Sequence, residues 1–284
     1  MKGTEASVTN VPVRFYKMSG HGNDFILIDN RDGNPPLNWN AAAREWCRRR
    51  TSVGADGILL IGWDSDSDFS LRIFNADGSE AEMCGNGARC AAWYAVDRGI
   101  AGETMTFQTM AGTIRARVEG LQAAIRLTDP TVSKDAISLS LGEEVLEIRS
   151  VNTGVPHAVI FRDALSAMSS EELNRLGRSV RFHEAFAPAG TNVDFVEIAG
   201  SDRIRVRTYE RGVEGETLAC GTGAAASAVA SVMQGKTDGS PVAVDMPGGR
   251  LFIDFIGDGE HFSDLWLRGD VKPLFRGELL PLKG

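Results

Sequence analysis

The sequence predicts an α+β fold of two pseudo-symmetric halves, each a curled mixed β-sheet around a central α-helix. Three observations support this. First, the segments ADGSEAEMCGNGARCAAWYAVDRG at 76–99 and ERGVEGETLACGTGAAASAVASVMQG at 210–235 share one plan: an acidic, glycine-containing turn, then Cys-Gly-polar-Gly, then an alanine-rich apolar run. Second, glycine allows the tight turn and close backbone approach while alanine is a strong helix former, so each run reads as a buried helix with Cys84 or Cys220 at or near its start. Third, the stretches TMTFQTM, TIRARV, AAIRLT, VDFVEI, RIRVRTYE, PVAVDM and RLFIDFI surround the two copies, many alternating as half-buried antiparallel strands do. A repeated unit of this size implies two similar halves.

Taken in order, residues 1–12 read as a loose extension, and 13–29 as a strand, a glycine-rich turn (Ser19 to Asn23) and the strand FILID. Residues 40–50 have helical spacing with Asn40 as N-cap, and GILLIG that follows reads as a buried strand. The expected halves are 1–127 and 128–271. The chain crosses near 127–130, where Pro130 breaks IRLTDP, and a last strand within 272–284 returns to the first half.

Length and composition bound the function. A chain of 284 residues, 43% hydrophobic and 24% charged, fits one large folded domain or two modest ones. A formal charge of -8 and a pI near 5.1 argue against nucleic acid as partner. Arg44, Arg48, Arg49 and Arg50 form the one basic run and read as a solvated helix end. No apolar stretch reaches the ~18 residues of a membrane span, and the start lacks the apolar core of a signal peptide, so the expectation is a cytoplasmic protein without a membrane partner. Cys47, Cys84, Cys90 and Cys220 are then expected as reduced thiols.

A thiol near a helix N-terminus is expected to have a lowered pKa, because unpaired N–H groups and the helix dipole favour the anion. The same N–H groups form an anion site, so a carboxylate resting between the two helix ends would have its α-carbon flanked by sulfurs, placing the active site in the cleft between halves. Amides aimed at the carboxylate would stabilise charge as an α-proton leaves. One thiolate takes the proton and the opposite thiol donates another, which inverts the centre. A free cysteine is often only a small buried hydrophobe, and that is the reading for Cys47 and Cys90. Cys90 follows Cys84 by a rotation of roughly 240° around a helix, off the shared face. Zinc-type spacings do not occur in the sequence, and no metal is expected. His157 reads either as a buried, backbone-satisfied histidine or as a site residue; Glu210 and Arg211 read as a surface pair or as site residues. Asn23, Asn75 and Asn192 sit in turn-forming company, where asparagine often serves the backbone.

The segments KMSGHGNDFILID, FNADGSEAEMCGNGARC, VPHAVIF, GTNVDFVEI and YERGVEGETLACGTGA, in this order from residue 14 onward, closely resemble the diaminopimelate epimerase family. The resemblance implies interconversion of LL- and meso-diaminopimelate without a cofactor, on the route to lysine and the peptidoglycan cross-link, in a protein that is usually a homodimer. It implies that Cys84 and Cys220 are the acid and base, that Gly85, Asn86, Gly221 and Thr222 hold the reacting carboxylate, and that Asn23, Asn75, Asn192, Glu210 and Arg211 bind the rest of the substrate. His157 and Glu210 are implied to tune the thiols. Two positions depart from the pattern: Gly57, where many members carry glutamine, and Val155, where many carry asparagine. Rival readings are a proline racemase-like or phenazine-type isomerase of the same fold, and a non-catalytic amino-acid-binding protein. Proline racemase relatives approach their second cysteine with a different sequence from YERGVEGETLACGTG, phenazine-type isomerases do not use the cysteine pair, and mere binding would not need paired proton donors.

Overall fold

The computed structural model describes residues 12–33, 37–142, 144–257 and 259–280. The expectation for the N-terminal extension therefore lies, apart from Pro12, outside the described residues. The chain divides into two compact units, residues 1–125 with 269–284, and residues 126–268.

In the first unit β1 (Val13–Gly20) and β2 (Asn23–Asp29) form an antiparallel hairpin. Its two-residue turn places His21 and Gly22 both at positive φ, 48° and 88°, the conformation that matches the twist of the flanking strands. After β2 come α1 (Trp39–Trp46), β3 (Gly57–Gly62), β4 (Phe69–Asn75), the two-residue β5 (Glu80–Ala81), α2 (Gly85–Asp97), β6 (Thr104–Thr109), β7 (Gly112–Glu119) and β8 (Gln122–Arg126). The pairings run antiparallel from β1 to β2, parallel to β3, antiparallel to β4, parallel to β6 and antiparallel to β7.

The second unit repeats this sequence of pairings. After β9 (Thr131–Val132) and β10 (Ile137–Leu141) come β11 (Glu144–Asn152), β12 (Pro156–Phe161), α3 (Ser170–Arg181), β13 (Asn192–Gly200), β14 (Arg203–Glu210), β15 (Gly215–Thr217), α4 (Gly221–Met233), β16 (Val242–Met246) and β17 (Gly249–Gly257). From β11 the pairings are antiparallel to β12, parallel to β13, antiparallel to β14, parallel to β16 and antiparallel to β17. The last strand, β18 (Phe262–Leu279), brings Val271 to Leu279 back beside β1, antiparallel.

Each unit has one buried central helix. α2 packs on β1, β2, β3, β4 and β7, and α4 on β11 to β14, β16 and β17. Every residue of α4 from Gly223 to Ser231 is buried, which is how a helix apolar on all sides must sit when a sheet curls around it. The outer helices are one-sided: α1 buries the stripe Trp39, Ala42, Ala43 and Trp46. Among the described residues no helix is long and apolar enough to cross a membrane.

Two sequence readings are corrected here. Asn40 is not the N-cap of α1. Asn38 is, its side chain accepting the Ala41 N–H at 3.1 Å, while Asn40 donates to the Gly78 carbonyl at 2.8 Å. The helix starts earlier because the buried Trp39 belongs to its apolar stripe. It also ends at Trp46, so Arg48 to Arg50 lie beyond it. Arg49 is not merely solvated, since its guanidinium reaches Asp24 at 2.6 Å and Asp56 at 2.8 Å. Replacing Asn38 by alanine should lower stability by about 1 kcal/mol by removing the cap. An unchanged urea midpoint for Asn38→Ala would show that Asn38 does not cap α1.

Candidate active site

Cys84 and Cys220 are the N-cap residues of α2 and α4. Both have extended backbones, with φ and ψ of -141° and 114° for Cys84 and -132° and 105° for Cys220, and neither side chain makes the usual cap bond to the backbone. Instead the N–H groups of the first helical turn face the sulfurs: Asn86 and Gly87 toward Cys84, and Gly223 toward Cys220. The Thr222 hydroxyl lies 3.5 Å from the Cys220 sulfur.

Three of the four glycines in the two Cys-Gly-polar-Gly turns, Gly87, Gly221 and Gly223, have close neighbours. A Cβ on Gly87 would come within 2.7 Å of Leu59, and one on Gly221 within 2.6 Å of Leu267. At Gly223 it would meet the carboxylate of Asp194 at 2.4 Å. Gly57 is equally closed: a Cβ there would lie 2.5 Å from the Phe74 carbonyl oxygen, so this backbone has no room for the glutamine common at that position.

Around Cys84 a polar chain runs through the predicted residues. Asn86 donates to the Asn23 side-chain oxygen at 2.7 Å, and Asn23 donates to Asp56 at 3.0 Å. Asp56 and Asp24 share Arg49, and the buried Lys17 reaches Asp24 at 2.7 Å. The two cations hold the Asp24 carboxyl down at about 2 although its partial burial pushes the other way. Asn75, at the end of β4, is exposed and donates to Ser79 at 2.9 Å, while the neighbouring Ala76 N–H donates to the Asp56 carbonyl.

In the second unit the structure gathers His157, Asn192, Glu210, Arg211, Cys220 and Thr222. His157 is fully buried at the start of β12, its Nδ1 2.7 Å from Asp194, which also accepts the Thr208 hydroxyl at 2.6 Å. Asn192 accepts the Arg211 backbone N–H at 2.8 Å and donates to the Pro156 carbonyl at 3.3 Å. Sequence reasoning missed Asp194 and Thr208. The usable signal was an acidic residue inside the apolar strand VDFVEI, where burial demands a partner.

Register explains why these positions recur. In the first unit the parallel partner of β2 begins at Gly57, which pairs with Asn75 on β4. In the second, Asn192 opens β13 in the same place, one residue before the Val193 and Tyr209 pair, and so opposite Glu210. Gly57 thus corresponds to Asn192, Asn75 to Glu210 and Cys84 to Cys220.

The expected lowering of the thiol pKa values is overturned. Burial raises Cys84, against the pull of the Gly87 and Asn86 N–H groups and Arg89. Cys220 is pushed up to about 12, by burial first and then by the charges of Asp194 and Glu210, against Thr222 and Gly223. At both thiols desolvation of the anion outweighs the helix-end N–H groups and favours the protonated form. Glu210 is itself raised, by burial foremost, and its charge acts on Cys220 in the upward direction. Cys47 and Cys90 are buried and pushed up to about 11 and about 12 by burial.

The family model for diaminopimelate epimerase matches residues 15–132 and 149–271. A diaminopimelate epimerase of Aquifex aeolicus is 43% identical over 279 residues, covering 94% of this chain and 98% of its own. One from a Hydrogenobaculum species is 41% identical over 273 residues, covering 93% and 97%. Among solved structures, a PhzF-family phenazine biosynthesis protein of Bacillus anthracis superposes with a TM-score of 0.70 at 16% identity, covering 95% and 99%, a likeness of fold alone.

The raised thiols link to stability. The folded state keeps a proton on Cys90 up to about pH 12, whereas the unfolded chain releases it near 9, so this contribution is whole below pH 9 and is lost as pH rises toward 12. Relative to Cys90→Ala, the wild type should lose up to about 1 kcal/mol per pH unit above pH 9. Urea midpoints of the two proteins between pH 8.5 and 11 check this; a constant gap between them refutes it.

Proposed function

The chain belongs to the diaminopimelate epimerase family, and from that membership we propose a reaction in which Cys84 and Cys220 are the acid and base that invert one α-carbon of diaminopimelate. The protein interconverts the LL and meso forms of that amino acid. The observation that carries the residue assignment is the recurrence, once per unit, of a thiol as N-cap of a buried helix whose first N–H groups face the sulfur.

The chemistry balances without another reactant. A thiolate removes the α-proton, the electron pair spreads into the carboxylate, and the other thiol delivers its proton to the opposite face, leaving a thiolate where there had been a thiol. The backbone of Gly85, Asn86, Gly221 and Thr222 receives the carboxylate, where helix-end amides meet the growing negative charge. Asn23, Asn75, Asn192, Glu210 and Arg211 bind the distal amino-acid group, with Asn75 exchanging its Ser79 contact for substrate. His157, its ring held at Nδ1 by Asp194, and Glu210 help tune the thiols, Glu210 by pushing Cys220 up. Two protonated thiols are a fitting resting state, since one must be an acid at every turnover and only the other need ionise. At position 155 valine offers no side-chain donor, so water or a neighbouring polar group takes that contact. We read the assembly as a cytoplasmic homodimer, which a mass of twice 30.6 kDa by light scattering would bear out.

Reduced protein incubated with LL-diaminopimelate in deuterated water should give meso product carrying α-deuterium. Cys84→Ala and Cys220→Ala should each lose at least ~100-fold in turnover with an unchanged circular-dichroism spectrum. Retention of substantial turnover by either folded variant refutes the two-thiol assignment. Proline and lysine should be poor substrates, because sites built for a polar group strongly reject analogues lacking it. Equal kcat/KM for proline and diaminopimelate would make the protein a racemase of the rival kind.

A further inference from the structure

Arg89 lies in α2, five residues beyond Cys84, with no solvent exposure. One N–H of its guanidinium, on Nη2, is used: it donates to the Asn86 side-chain oxygen at 2.7 Å. Its Nε and Nη1 have no hydrogen-bond partner among the described residues. Arginine does not shed its proton in a protein, so a buried guanidinium holds a full charge that needs a counter-charge. A purely structural role, bracing the Asn86 to Asn23 to Asp56 chain, accounts for Nη2 and leaves the other two nitrogens unexplained.

The ionisable groups whose charge Arg89 feels are Cys90 and Cys84 on its own helix and Asp270 on β18. Asp270 takes the Gln122 amide at 3.0 Å. Cys90 is sealed in the core and stays a neutral thiol, pushed up to about 12. Cys84 remains, half-buried at the helix end, and the other charge facing it is Asp56, which precedes β3 and is itself paired with Arg49. Cys220 has the opposite surroundings, two carboxylates, Asp194 and Glu210.

We propose that Arg89 is the fixed counter-charge of the Cys84 thiolate, a positioning residue that makes Cys84 ionise before Cys220. This rests on the acid–base reading of the two cysteines. When Cys84 gives up its proton, the buried guanidinium gains an anion on its own helix besides Asp270, and the ionisation that burial opposes is offset from inside the helix. Nothing about Arg89 touches substrate; its effect passes through the sulfur.

The test is the pH dependence of iodoacetamide alkylation, followed cysteine by cysteine by peptide mass spectrometry, together with the pH profile of kcat/KM. In the wild type Cys84 should become reactive at lower pH than Cys220; the reverse order overturns the proposal. In Arg89→Met the Cys84 profile and the acidic limb of kcat/KM should both move up by about one pH unit or more, while Arg89→Lys, which keeps the charge, should stay near the wild type. A folded Arg89→Met protein whose Cys84 profile superimposes on the wild type also overturns it. Should the methionine variant fail to fold, the wild-type order of the two thiols decides. Failure of the acid–base reading would appear separately, as turnover in Cys84→Ala, a result the alkylation profiles do not depend on.

Discussion

A helix sunk into apolar surroundings leaves its first N–H groups without water, and those donors must find acceptors or weaken the fold. In α2 and α4 this constraint meets an unusual cap, a thiol that makes no ordinary capping bond, so the sulfur itself stands before the orphan amides. The remaining features of each unit serve that arrangement. Gly87 and Gly223 let Leu59 and Asp194 come against the first turn, and a curled sheet buries the alanine-rich body behind it. Polar neighbours then complete the end: Asn86 and Asn23 in one unit, His157, Asp194 and Thr208 in the other.

The two units share a strand order and register, yet their electrostatics diverge. Arg89 stands behind Cys84, whereas Asp194 and Glu210 stand near Cys220. Burial raises both thiols, and these charges then separate them. The proposed reaction requires one thiol to ionise while the other does not, and two identical environments would leave that choice to chance. The frame repeats; the charges do not.

Much of this was legible in the residues. The paired Cys-Gly-polar-Gly turns are local signals, in which glycine and alanine preferences act within a few positions, so both helix starts and the twofold plan could be read directly. What failed depended on distant parts of the chain. The sequence points to Asn40 as cap of α1, because residue type alone does not show that Trp39 is buried and belongs to the helix. The thiol pKa values were misjudged because the helix end is visible in a sequence and the depth of burial is not. Asp194 and Arg89 were passed over for a related reason, since a charged residue in a strand or helix reveals its burial only once neighbouring strands close around it. Gly57 appeared as a departure from a family pattern, and only the Phe74 carbonyl shows why no side chain fits.

The return of β18 to β1 bears on the order in which the protein can assemble on the ribosome. The second unit is one uninterrupted stretch, 126–268, and has all its own strands once that stretch has emerged. The first unit begins synthesis first but takes its closing strand from Val271 to Leu279. Until those residues leave the exit tunnel, β1 has β2 on one side and a bare row of peptide groups on the other, an edge open to pairing with other chains. The half translated first is therefore the half completed last, and its sheet edge at β1 stays open until β18 has been made.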